Sequence, residues 1–140
     1  MEAVLDKNMM YAECVLDKNV TYLYLSSSDS KDVHPNNTPV DFIVDLPQPL
    51  QLDRYWEIAL LDINRNNVIV YCDWCKESTI NGSLLPVLRK MKKIITSPHY
   101  VPVHPGYKAR VHIYIKDHFQ NNLSFIDQPL MCTLQLKRCH

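Results

Sequence analysis

A chain of 140 residues with 46% hydrophobic and 21% charged side chains has the size and composition of one globular domain with a buried core, which excludes a disordered segment. Lys plus Arg and Asp plus Glu both number 15, so the net charge is zero and the strong basic footprint of a nucleic-acid or anionic-membrane binder is missing. The same balance leaves little repulsion between copies, so self-association is expected.

No apolar run approaches the roughly 18 residues of a membrane span. Met1 to Met10 carry acidic and basic side chains and no apolar stretch, so no signal peptide is expected. Cys14, Cys72, Cys75, Cys132 and Cys139 are then expected as free thiols in a reducing compartment. The glycosylation-type triplets at Asn19, Asn36, Asn81 and Asn122 read as chance.

In chain order, Val4-Leu5-Asp6-Lys7-Asn8 recurs as Val15-Leu16-Asp17-Lys18-Asn19, too few copies for a solenoid. Residues 1–19 are expected to form an N-terminal arm or a short helix, and residues 20–140 one β domain. Thr21 to Ser26 reads as a strand, followed by a polar loop to Pro39. Asp41 to Leu46 alternates with Phe42, Val44 and Leu46 inward, and Pro47 and Pro49 are expected to end it. Trp56 to Ile63 and Val68 to Cys72 flank the polar Asn64 to Asn67, a spacing that suits a hairpin.

Asn81-Gly82 is the clearest turn dipeptide, because both residues tolerate positive φ. Leu84 to Thr96 fits a strand or a short helix. Arg110 to Lys116 turns Val111, Ile113 and Ile115 inward, and Pro129 to Lys137 does the same with Leu130, Cys132, Leu134 and Leu136. Seven or eight strands and no convincing helical crossover predict an all-β antiparallel sandwich or barrel.

Chemistry-bearing patterns are few. Neither a Gly-x-Ser-x-Gly elbow nor a phosphate-cradling glycine loop is present, so no enzymatic activity and no cofactor are expected. Cys72-Asp73-Trp74-Cys75 reads first as unpaired cysteines near a strand end. If the strand continues, the two thiols point to opposite faces. Tetrahedral zinc would need two further ligands, for which Cys139 and His140 are the candidates if the C-terminus folds back. The redox reading requires a helix start, which a preceding β run does not supply.

His34, His99, His104, His112, His118 and His140 read as surface or loop residues, with a pH-responsive role in assembly as the functional alternative. Asp41 and Asp45 share an outward strand face, the pattern of a solvated surface. Arg89, Lys90, Lys92 and Lys93 form the one local cationic cluster, either a solvated face or a contact for an acidic partner surface or packaged nucleic acid. No aromatic residue interleaves it, which weighs against single-strand binding there.

Three blocks carry a family resemblance. The first runs Tyr22-Leu23-Tyr24-Leu25-Ser26-Ser27-Ser28-Asp29-Ser30, His34-Pro35-Asn36-Asn37-Thr38, Phe42, Leu46-Pro47, Leu50-Gln51-Leu52 and Trp56-Glu57-Ile58-Ala59-Leu60. The second is Val70-Tyr71-Cys72-Asp73 with Leu84-Leu85-Pro86-Val87-Leu88-Arg89. The third is Pro98-His99-Tyr100-Val101-Pro102-Val103, Ile113-Tyr114-Ile115-Lys116-Asp117, Phe125 and Cys132-Thr133-Leu134-Gln135-Leu136-Lys137. In this order they resemble the penton-like minor capsid proteins of Polinton (Maverick) elements, adintoviruses and related DNA viruses.

The resemblance covers roughly Thr21 to Lys137. It implies a single jelly-roll β-sandwich that forms homopentamers at icosahedral vertices, beside a separate double-jelly-roll major capsid protein. It also implies a virion location, reached from the host nucleus or cytoplasm without secretion. The passage from Trp56-Glu57 to Val70-Tyr71-Cys72-Asp73 is shorter than in that family, which predicts a compact or shortened sandwich. A fivefold ring needs a heterologous interface, and aromatic anchors suit it; Trp74, Tyr100 and Tyr107, in or beside predicted loops, are the candidates, with core burial the alternative for Trp74.

Overall fold

Alternation of apolar and polar side chains, with leucine, β-branched and aromatic residues at the inward positions, drives this chain into strands. A computed structural model describes residues 13–16, 19–93, 95–123 and 128–139. Among these residues there is no helix. The strands are β1 (Glu13–Leu16), β2 (Val20–Ser26), β3 (Asp41–Leu52), β4 (Trp56–Ile63), β5 (Val68–Cys72), β6 (Ser78–Ile80), β7 (Ser83–Leu85), β8 (Val87–Met91), β9 (Tyr100–Pro102), β10 (Gly106–Lys116) and β11 (Met131–Arg138).

They form a five-stranded sheet in the order β1-β2-β11-β4-β9 and a four-stranded sheet in the order β3-β10-β5-β8, with β6-β7 as a separate pair. Every pairing is antiparallel. Setting aside β1 and the β6-β7 pair, the first strand pairs with the last (β2 with β11) and the second with the seventh (β3 with β10). The third then pairs with the sixth (β4 with β9) and the fourth with the fifth (β5 with β8). This is one long antiparallel hairpin rolled up on itself; the contacts β11–β4 and β10–β5 close the roll. The fold is a single jelly roll.

The two inner faces interdigitate as a sandwich requires. Leu23, Leu25, Ile58, Leu60, Leu134 and Leu136 from the first sheet meet Phe42, Val44, Val70, Leu88, Val111 and Ile113 from the second, all buried. Each such side chain contributes about 1.5–3 kcal/mol by leaving water. The inward sets read from β3, β10 and β11 lie where alternation puts them.

The roll has eight strands, within the seven or eight expected, and makes a compact sandwich. Other expectations change. Asn64 to Asn67 does not close a hairpin, because β4 and β5 lie in different sheets. The same polar tetrapeptide carries the chain across the sandwich, and its composition suits either role.

Pro47 and Pro49 do not end β3, which runs through both. The strand is at a sheet edge, and the register jumps from Arg110↔Asp45 to Lys108↔Leu50, so the prolines sit in an irregularity where no ladder bond is required. Tyr100 and Tyr107, expected in or beside loops, lie in strands, in β9 and at the start of β10. In the N-terminal segment, Glu13–Leu16 is a strand on β2, and residues 1–12 lie outside the described set. The Asn81-Gly82 turn joins β6 to β7 with φ of 49° and 80°, the positive pair a two-residue hairpin needs.

Candidate functional site

The site is a flank of the sandwich built by two strands that end their sheets. β8 ends the second sheet and β9 the first, so the layers part between them. A groove of about 530 Å³ opens there, with Val87, Leu88, Arg89 and Lys90 on one side and Tyr100 and Val101 on the other. Leu88 is fully buried and forms part of its apolar floor. Arg89 is half-buried and donates from Nη1 to the Ser97 carbonyl at 3.0 Å, which fixes its guanidinium against the loop after β8. Lys90, Lys92 and Lys93 are exposed. Arg89 and Lys90 thus lie on the edge strand β8, and Lys92 and Lys93 follow directly after its last residue.

Tyr100 faces away from the core on β9, where its hydroxyl donates to Gln135 Oε1, while Gln135 Nε2 donates to the Tyr22 hydroxyl at 3.1 Å. Lys137 Nζ lies 5.3 Å from the Tyr100 ring centroid. Ala59, between these residues in the register, is fully buried although it faces outward. The outer face of the first sheet is therefore partly aromatic: Tyr22 and Tyr100 flank Gln135 and Ala59 across the strands, and Tyr24 lies further along β2. Tyr107, at the start of β10, is 67% exposed, the geometry of a free contact residue.

Trp74 is a core residue. It is 2% exposed, and its indole N–H donates to the Arg110 carbonyl at 2.9 Å, so it is not a surface anchor of this subunit. The turn that buries it also corrects the Cys-x-x-Cys geometry. The strand stops at Cys72, and the Cys75 amide donates back to the Cys72 carbonyl at 3.0 Å. Both thiols therefore turn into the interior instead of facing apart. Burial, reinforced by the Cys75 thiol, pushes the Cys72 thiol well above its ordinary range. Cys139 donates its S–H to Glu57, which also raises its pKa. Among the described residues no three His, Cys, Asp or Glu side chains gather as a metal site. His140, the fourth zinc candidate, lies outside them.

Three histidines sit beside carboxylates. His34 Nε2 is 2.9 Å from Asp45 Oδ1, His104 Nε2 is 3.3 Å from Glu77, and His112 Nε2 contacts Asp41. Asp41 and Asp45 are thus paired across elements, not merely solvated; Arg110 Nε adds a 3.5 Å contact to Asp45. The Asp73 carboxyl, raised by burial, accepts the His112 amide at 2.9 Å. His118 Nε2 donates to the Met91 carbonyl at the end of β8.

Sequence reasoning missed the Tyr22–Gln135–Tyr100 row and the stacked Tyr71–Tyr114 pair on the opposite outer face, centroids 4.6 Å apart. The alternate tyrosines of β2, outward of Leu23 and Leu25, were the available signal for the first; the cross-strand partners depend on register. Compared with protein-family models the chain matches none, and comparison with curated proteins finds no match.

Proposed function

We propose that the chain is a penton-type minor capsid subunit, a structural protein whose copies close into a fivefold vertex beside a double-jelly-roll major capsid protein. The observation that supports this best is the complete rolled hairpin, β2–β11, β3–β10, β4–β9 and β5–β8, in a domain of this size. Much of the residue blocks that resemble the penton-like family falls on strands: the first on β2, β3 and β4, the second on β5, β8 and the separate β7, the third on β9, β10 and β11, with Phe125 of the third outside the described residues. The exposed aromatic residues Tyr24 and Tyr107, on different sheets, suit a heterologous contact, one face of a copy against a different face of the next. Tyr100 and Tyr107 remain the anchor candidates within this reading.

The second reading is a host-domesticated or accessory β-sandwich that binds another protein and builds no vertex. The unpaired cationic edge of β8 favours it. Chemical cross-linking of the purified chain followed by electron microscopy separates the two. The capsid reading expects fivefold rings, and the binding-module reading expects particles of one or two copies.

A further inference from the structure

The two strands at the groove are unequal as edges. β9 is three residues long and ends in Pro102, which has no N–H to give, so it offers little to an added strand. β8 is longer and carries no proline. The Asn67 amide donates to the Lys92 carbonyl, and antiparallel alternation then turns the backbone groups of Arg89 and Met91 away from β5. The Met91 carbonyl is taken by His118. The open ladder positions therefore centre on Arg89, directly above the groove.

Charge defines what fits there. Arg89, Lys90, Lys92 and Lys93 take part in no ion pair among the described residues. The carboxylate beside the groove, Glu77 next to Ser78, is already held by His104. Cations on an edge repel a second copy of the same edge, which protects the subunit from pairing β8 to β8. They attract a strand of opposite sign.

We propose that the β8 edge is a docking site for an extended acidic segment of a partner protein. The segment adds as a strand against Arg89, places its apolar side chains on the inner side over Leu88 and Val101, and turns its carboxylates to the outer side toward Lys90 and Lys92. Backbone pairing supplies affinity and the groove and cations supply selection, the mode of β-strand addition. A nucleic acid is disfavoured because the Tyr100 ring at the groove is half-buried and its hydroxyl is held by Gln135, which leaves it poorly placed for bases to stack on.

The test uses a fluorescein-labelled nine-residue peptide of alternating Val and Glu, followed by anisotropy and by amide hydrogen exchange on the whole chain. The expected result is saturable binding that weakens with salt and slows exchange at Arg89. The triple variant Lys90→Glu, Lys92→Glu and Lys93→Glu should lose about tenfold or more in affinity, as should a peptide with Pro at its centre. Equal binding of the Pro peptide would overturn the proposal by showing charge attraction without strand pairing.

Tighter binding of a labelled oligothymidine would overturn it in favour of a nucleic-acid surface. No saturable binding by the wild-type chain would sink it outright, whatever the variant's folding. A triple variant with changed oligomeric mass and peptide affinity within twofold would mark the edge as a contact between copies instead. Binding is counted per chain, so the outcome is independent of whether the fivefold ring forms.

Discussion

Gln135 holds two tyrosines at once, donating to Tyr22 and accepting from Tyr100 across three strands. Gln135→Ala removes both bonds and uncovers Ala59, so we expect a loss of about 1–2 kcal/mol, read as a lower urea midpoint. Trp74→Ala should lose about 3–5 kcal/mol, since it empties the core and leaves the Arg110 carbonyl unpaired. A surface role would instead leave the midpoint unchanged and alter the oligomeric mass. Cys132 supplies a pH signature. Burial raises its thiol from 9.0 to about 12, so the folded state keeps the proton after the unfolded chain has lost it. Its contribution is therefore complete below about pH 9 and fades as pH climbs toward 12. The stability gap between the wild type and Cys132→Ala should narrow over that window in paired urea titrations; a constant gap would contradict the burial argument.

At the scale of elements, β3 shows how an edge is kept from pairing. Pro47 and Pro49 sit where the β10 register breaks, so they cost the ladder nothing and deny an outside strand its bonds. Replacing both by Val should leave stability within about 0.5 kcal/mol and introduce concentration-dependent association, visible by sedimentation velocity. Those prolines also mark where sequence reading stops. Alternation located the core faces of β3, β10 and β11 because burial on one side imposes a period of two. The same rule cannot tell an edge strand that tolerates proline from a strand that proline ends. Nor can it see β9, which has three residues and derives its order from β4.

At the scale of the molecule, the first and last strands of the rolled hairpin lie side by side, so the sheet order depends on contacts far apart in sequence. The polar stretch Asn64 to Asn67 gives no sign of this, because a turn within a sheet and a crossing between sheets use the same residues. The cationic cluster was legible as composition, and only the sheet order shows that it follows an unpaired edge. Cys72 and Cys75 needed the turn at Trp74 to bring both thiols inward.

The full set of eight jelly-roll strands, with outer faces rich in tyrosine, underlies the central claim of a vertex subunit. Light scattering across a concentration series tests that claim most directly. The account predicts one discrete species near five times the 16.4 kDa chain mass. A chain that stays monomeric at the highest concentrations would contradict it.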